Sequence, residues 1–154
     1  MTLAVRMMWI AGMAAVPTVF ACSEQVEARY ASYADAVHEG AVHRGWIPTY
    51  VPPSATEIVE VHNLDTNAQL LRFQAPPEAL KAMTSRLTGV PSEKVPAPPS
   101  YLSLPKGGLW RRGLGSGTLP QGMSVYRAHL ESGGVHCVAI DTQHFVAYAW
   151  TWRD

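Results

Sequence analysis

Three β-rich runs in the last third of the chain, residues 123–130, 135–140 and 144–152, constrain its fold more than any other feature. They are separated only by Gly133-Gly134 and by Asp141-Thr142-Gln143. Runs this short, joined by turn-forming residues this few, pair with their neighbours as an antiparallel meander. Taking Gly133-Gly134 as a two-residue turn sets a register: Ser132 opposite Val135, Glu131 opposite His136, Leu130 opposite Cys137. Directly opposed side chains share a face. One face then carries Ala128, Leu130, Cys137 and Ala139 and is expected to be core. The other carries Arg127, His129, Glu131 and His136 and is expected to meet water.

A second pairing unit lies upstream. Thr56–His62 and Gln69–Phe73 are β-like, and Asn63-Leu64-Asp65-Thr66-Asn67 between them is rich in residues whose side chains bond to nearby backbone. This predicts a hairpin, with Asp65 as the capping side chain. Pro76-Pro77-Glu78 makes a good helix start, because proline is tolerated in the first turn and a carboxylate suits the positive end of the dipole. Ala79, Leu80, Met83 and Leu87 then form an apolar stripe, and Gly89 and Pro91 end the helix. Nearer the N-terminus, Val26, Tyr30, Tyr33, Ala34 and Val37 fall at helical spacings and predict a helix over Ser23–Glu39. Gly40, Gly45 and Pro48 stop it, and Trp46 and Ile47 are expected to pack down on the domain.

The expected fold is therefore α+β: an antiparallel sheet built from the early hairpin and the C-terminal three-strand meander, with one helix packed on one face and an N-terminal helix. Residues 91–122 hold Pro91, Pro96, Pro98, Pro99, Pro105 and Pro120 with several glycines, and form a long connection of a length usually functional or mobile. Leu109-Trp110 is the candidate strand or clamp inside it. Gly113, Gly115 and Gly117 suggest a phosphate loop only superficially, since no Lys-Ser/Thr follows and no strand-to-helix context surrounds them.

The first residues read as a secretory signal: a head ending at Arg6, an apolar middle from Met7 to Phe20, and Ala21 before the break. The uncharged run Met7–Ser23 is 17 residues long and contains Gly12 and Pro17. A spanning helix needs about 20 predominantly apolar residues, so a cleaved signal over residues 1–21 fits better than a permanent span. Val19-Phe20-Ala21-Cys22 is similar to the lipobox of bacterial lipoproteins, in which the cysteine is acylated; Phe20 is bulkier than the residue usual there. An ordinary signal peptidase cut after Ala21 also satisfies the small-residue rule, and an uncleaved anchor is the third reading.

Residues 22–154 then form one domain, with 22–29 a possible tether. Having lost only Arg6 of the 12 Lys+Arg, this domain keeps 12 Asp+Glu and a formal charge near minus one. That balance gives no basic surplus for nucleic acid and no polybasic block for electrostatic membrane binding. The two cysteines, Cys22 and Cys137, could pair in an oxidising compartment. Acylation of Cys22 leaves Cys137 alone, and in Val135-His136-Cys137-Val138 it reads as a small buried hydrophobe.

Chemistry is sparse. His129, Glu131 and His136, on the predicted wet face, could offer two imidazoles and a carboxylate to a divalent metal, or an acid/base pair to a substrate. A one-residue slip would scatter them. His38 and His43 are five apart and do not align on a helix. No cofactor is expected.

The strings Tyr33-Ala34-Asp35-Ala36, Gly45-Trp46-Ile47-Pro48, Pro52-Pro53-Ser54-Ala55-Thr56, His62-Asn63-Leu64-Asp65-Thr66-Asn67 and Leu71-Arg72-Phe73 resemble a family of small bacterial envelope proteins, the group called YbbD head-domain-like. The resemblance covers roughly residues 30 to 75, implies a fold and an envelope setting, and brings no established activity, so no catalytic residue is carried over.

The function expected from these readings is a non-enzymatic envelope lipoprotein, a binding or interaction module held to the membrane by a lipid on Cys22, with another envelope protein as the possible partner. One alternative is a small envelope hydrolase or metal-binding protein using the His129, Glu131 and His136 face. Another is a periplasmic inhibitor or immunity-like protein presenting Trp110 or the Pro-rich loop. Ser23 is not acidic, and the resemblance to Gram-negative lipoproteins implies outer-membrane sorting, facing the periplasm; the rival cut leaves a periplasmic or secreted chain. Labelled palmitate should be incorporated into the parent chain and not into Cys22→Ser. No incorporation in the parent would exclude the lipid anchor.

Overall fold

The computed structural model describes residues 24–91, 94–98, 102 and 122–152. The predicted signal segment 1–21, Cys22, the Leu109-Trp110 clamp, the glycines from 113 to 117 and most of the 91–122 connection lie outside them.

Among the described residues the chain is mostly one antiparallel sheet of seven strands. In chain order these are β1 (Gln25–Ser32), β2 (Thr56–Asn63), β3 (Gln69–Gln74), β4 (Thr88–Gly89), β5 (Ser124–His129), β6 (Val135–Asp141) and β7 (Val146–Thr151). Two short helices, α1 (Tyr33–His38) and α2 (Pro77–Thr84), complete it. The strand order is β1-β2-β3-β7-β6-β5-β4. The early hairpin and the C-terminal meander are both present, joined edge to edge by the pairing of β3 with β7.

The N-terminal helix predicted over Ser23–Glu39 is corrected to a strand followed by a six-residue helix. Val26, Ala28 and Tyr30 alternate at period two, and that pattern wins because β2 offers a ladder to Gln25–Ser32. The helix starts where a capping box permits it: Ser32 Oγ accepts from the Asp35 amide at 3.2 Å, and Asp35 Oδ2 accepts from the Ser32 amide at 2.9 Å. Residues Gln25–Arg29 are therefore strand, not tether.

α2 begins at Pro77 with Glu78 in its first turn and buries Leu80 and Met83, as the stripe predicts. In the β2–β3 turn the cap is Asn63 rather than Asp65: Asn63 Oδ1 accepts from the amides of Asp65 at 3.1 Å and Thr66 at 2.9 Å.

Central strands β3, β6 and β7 are buried almost residue by residue rather than alternately, because both faces of the sheet are covered. On the first face Tyr30, Ile58, Leu71, Phe73, Val138 and Ala149 pack with Ala36, Ile47 and Val51 from α1 and the turns after it, and with Leu80 and Met83 of α2. On the second, Val61, Leu70, Val125, Cys137, Tyr148 and Trp150 pack with Val90, Val95 and Leu102. Trp150 is fully buried there and its indole N–H donates to the Pro96 carbonyl at 3.1 Å. The described part of the Pro-rich connection thus supplies the cover that an alternating-face reading leaves out.

Cys137 is a free thiol with no exposure, and burial pushes it up to about 12 against a smaller opposing pull from Arg127. A thiolate is the reactive form, so it should be inert in the fold. In a Cys22→Ser chain, a disulfide-exchange reagent at pH 8 should titrate no thiol until denaturant is added and one thiol afterwards. Rapid native-state reaction would contradict this packing.

Candidate functional site: a polar seam under Trp46

The ladder registers place six residues in one row across the first face: Val26, His62, Gln69, Thr151, His136 and Ala128. Four are polar. Gln69 and Thr151 are linked by the Gln69 amide, which donates to Thr151 Oγ1 at 2.8 Å. Glu60 stands one pair inward on the same side of β2 as His62. Glu60, His62, Gln69 and His136 are each at most 5% exposed, so their polar atoms must find partners inside the protein.

The segment that closes over this row is Gly45–Tyr50. Helix α1 ends with the Ala41 amide donating to the Ala36 carbonyl and the Gly40 amide to the Val37 carbonyl, both at 2.9 Å. The same pair of bonds recurs five residues on, from Trp46 to Ala41 and from Gly45 to Val42, both at 3.0 Å. Gly45 has φ of 80°, a conformation that strains any side chain, and this is what turns Trp46 back onto the sheet. The Trp46 ring stacks on the His62 imidazole with centroids 3.6 Å apart and planes 8° from parallel.

Beneath Trp46 the bonding is dense. His62 Nδ1 lies 2.9 Å from both Glu60 oxygens. The Gln69 side-chain amide donates to Glu60 Oε1 at 3.2 Å and to the Trp46 carbonyl. Burial pushes the Glu60 carboxyl up to about 8, with Gln69 and Arg44 pulling the other way, and burial followed by Arg44 holds His62 below the usual imidazole range. Both shifts favour the neutral forms of the pair, in which the Glu60 carboxyl donates to Nδ1 while its other oxygen accepts from Gln69. At the far end of the row, the Tyr50 hydroxyl lies 2.9 Å from His136 Nδ1. Burial pushes the tyrosine up and takes His136 down to about 4, so Tyr50 donates to a neutral imidazole.

His129, Glu131 and His136 are not brought together. The β5–β6 turn spans Leu130–Gly134, with the Leu130 amide donating to the Gly134 carbonyl at 2.8 Å, the Gly133 amide donating to the Leu130 carbonyl at 3.0 Å, and Gly133 at φ of 89°. This is the longer hairpin in which a glycine in the left-handed region follows a tight turn. It pairs His129 with Val135, Ala128 with His136 and Arg127 with Cys137, three residues away from the two-residue-turn register. An odd shift exchanges the faces. His136 is consequently buried beside Ala128, His129 is exposed on the opposite face, and Glu131, in the turn, accepts from Thr49 Oγ1 at 3.3 Å. No group of three or more His, Cys, Asp or Glu side chains able to hold a metal occurs among the described residues. Glu60 and Gln69, absent from the sequence candidates, were marked by period two: Ile58, Glu60 and His62 share a face, and Gln69 stands opposite His62 across the hairpin.

The match to known families falls on the same part of the molecule. Residues 24–74, a third of the chain, match the family model described as YbbD head domain, and the match ends with β3. It contains Trp46, Tyr50, Glu60, His62 and Gln69 of the seam, and leaves His136 and Thr151 to the meander. No curated protein and no solved structure matches the chain.

His136 fixes an acid limit on the fold. Its folded value is depressed, so its contribution to stability is present above about pH 6.5 and is lost as pH falls toward 4. The loss should reach about 3 kcal/mol. Denaturant unfolding of the parent and of His136→Gln should therefore differ by that much less at pH 4 than at pH 7. A pH-independent difference would show that protonation of His136 is not resisted by the fold.

Proposed function

We propose that this chain is a non-enzymatic interaction module of the bacterial cell envelope, tethered by a lipid on Cys22, that engages an extended segment of a partner protein along strand β1. The observation that supports this reading is the position and wiring of β1. It begins three residues after Cys22 and lies at the edge of the sheet. The Leu64 amide donates to the Glu24 carbonyl, and the Asn63 amide donates to the Ala68 carbonyl. In an antiparallel ladder hydrogen-bonded pairs alternate, so the even-numbered residues of β1 turn their backbone groups toward β2 and Gln25, Glu27, Arg29 and Ala31 turn theirs outward. An eight-residue edge of this kind is a template for strand addition, and the exposed side chains of Val26 and Leu64 lie at its start.

The acid and base groups of the domain support the same reading from the other side. Glu60, His62 and His136 hold the Gly45–Tyr50 segment in place, and the register of β5 and β6 separates the residues on which an enzymatic reading would rest. An inhibitor or immunity-like role is the same mode of contact with a particular class of partner.

Glu27→Pro tests the proposal, because it removes one outward amide and leaves the β2 ladder intact. The full chain, purified in detergent and used as bait on envelope extract, should retain a partner that Glu27→Pro releases, with the melting temperature of the two baits within a few degrees. Equal retention by both would refute β1 as the contact.

A further inference from the structure

A second polar feature lies on the opposite face of the same three strands, and the seam does not involve it. Between Thr56 and Val59 the β2–β3 register shifts, so β2 carries one residue more than β3. Glu57, in that bulge, has φ of 47°. A bulky side chain in the left-handed region is held there only when the surroundings demand it, and such residues concentrate at sites that bind or react. The bulge breaks the facing of Ala31 by Glu57 in the β1–β2 ladder. Over these strands lies a solvent-open cavity of about 300 Å³, to which Arg29, Ala31, Glu57, Val59 and Arg72 contribute together with Tyr30 and Ile58.

Arg72 is the lining residue whose chemistry is incomplete. It is 5% exposed. Its nearest carboxylate, Glu57, stands 3.7 Å from Nη1, and that carboxylate accepts a closer bond from Gln74 Nε2 at 2.8 Å. Nη1 donates to the Glu57 carbonyl at 3.4 Å, near the limit of a hydrogen bond, and Nε has no acceptor among the described residues. A guanidinium carries five donors and stays charged, so burying it with one weak ion pair leaves a strong demand for an anion. Arg29 stands at the rim, half exposed, with its charge 2.7 Å from Glu27.

We infer that this cavity is a binding site for a small oxyanion carried on an apolar body, a carboxylate or a phosphate monoester, with Arg72 as the charged anchor. The planar fork of arginine matches either head group with paired hydrogen bonds. Ala31 and Val59 suit an apolar body, and the volume is that of the smaller ligand pockets. Glu57 opposes the ligand, because its carboxylate adds negative charge beside Arg72. Arg29 and Ala31 serve the site by their side chains and the proposed strand-addition edge by their backbone, but the anchor Arg72 stands on β3, away from that edge, so either proposal can stand if the other falls.

The test uses the full chain in detergent with benzoate and phenyl phosphate, at ionic strength matched with sodium chloride, and with inorganic phosphate alongside. Benzoate, phenyl phosphate or both should raise the melting temperature with the logarithm of concentration above the dissociation constant, by roughly 4 °C at tenfold over it. A response to one aryl compound alone identifies which head group the cavity takes. Arg72→Met should abolish the rise, and Glu57→Gln should strengthen binding severalfold by removing the opposing charge, an effect that a bracing role for Glu57 would not produce. Should Arg72→Met fail to fold, Arg72→Lys keeps the charge but loses the fork and should weaken binding about tenfold or more. The inference is overturned if neither aryl compound shifts the parent, if the shift is the same in the Arg72 variants, or if inorganic phosphate and chloride reproduce it in parent and variants alike.

Discussion

Coverage of the sheet on both faces is the constraint on which the rest of the structure depends. A strand with one wet face can place any polar residue outward; β2, β3, β6 and β7 have no such outlet over most of their length. Every polar side chain that the sequence puts there must be matched internally or carry the cost of desolvation. Glu60, His62, Gln69 and His136 meet that demand on the first face through Trp46 and Tyr50. On the second face Trp150 meets it through Pro96, and Arg72 meets it only in part.

The seam also explains why a stretch with little regular structure can sit firmly on a sheet. Gly45–Tyr50 aims a carbonyl, a stacked ring and a phenol each at a different strand, with the Thr49 hydroxyl on the β5–β6 turn: β2 receives the Trp46 ring, β3 the carbonyl contact, and β6 the tyrosine. Burial favours the neutral form of each titratable partner, which limits the desolvation cost of the lock and gives it a dependence on pH.

Much of this was legible in the amino-acid order. The hairpin around Asn63–Asn67, the helix opened by Pro77 and the C-terminal meander follow from turn chemistry and period alone, and the buried thiol at Cys137 follows from its apolar neighbours. What could not be read has physical causes. Gln25–Ser32 satisfies two periods at once, and only the ladder offered by β2 decides between them; the Ser32 and Asp35 capping box was the local sign of where the helix truly begins. Gly133-Gly134 permits either a two-residue turn or the longer turn observed, and the choice moves His136 from a surface constellation with His129 and Glu131 to the core beside Tyr50. The demand on Arg72 arises from a bulge that no pattern of residue types announces.

The pairing of β3 with β7 has a consequence in time as well as in space. The strands that meet there are separated by the whole of α2, the Pro-rich connection and two strands of the meander. As the chain emerges N-terminus first, β1, β2 and β3 can complete their local ladder early, while the last strand to arrive is the one that must occupy the centre of the sheet. Until then β3 presents an open edge of apolar residues, Leu70, Leu71 and Phe73, that any extended chain nearby can occupy. Non-local pairing of this kind is slow to form. The join between the two halves is thus both the seal of the finished domain and its most exposed moment during folding.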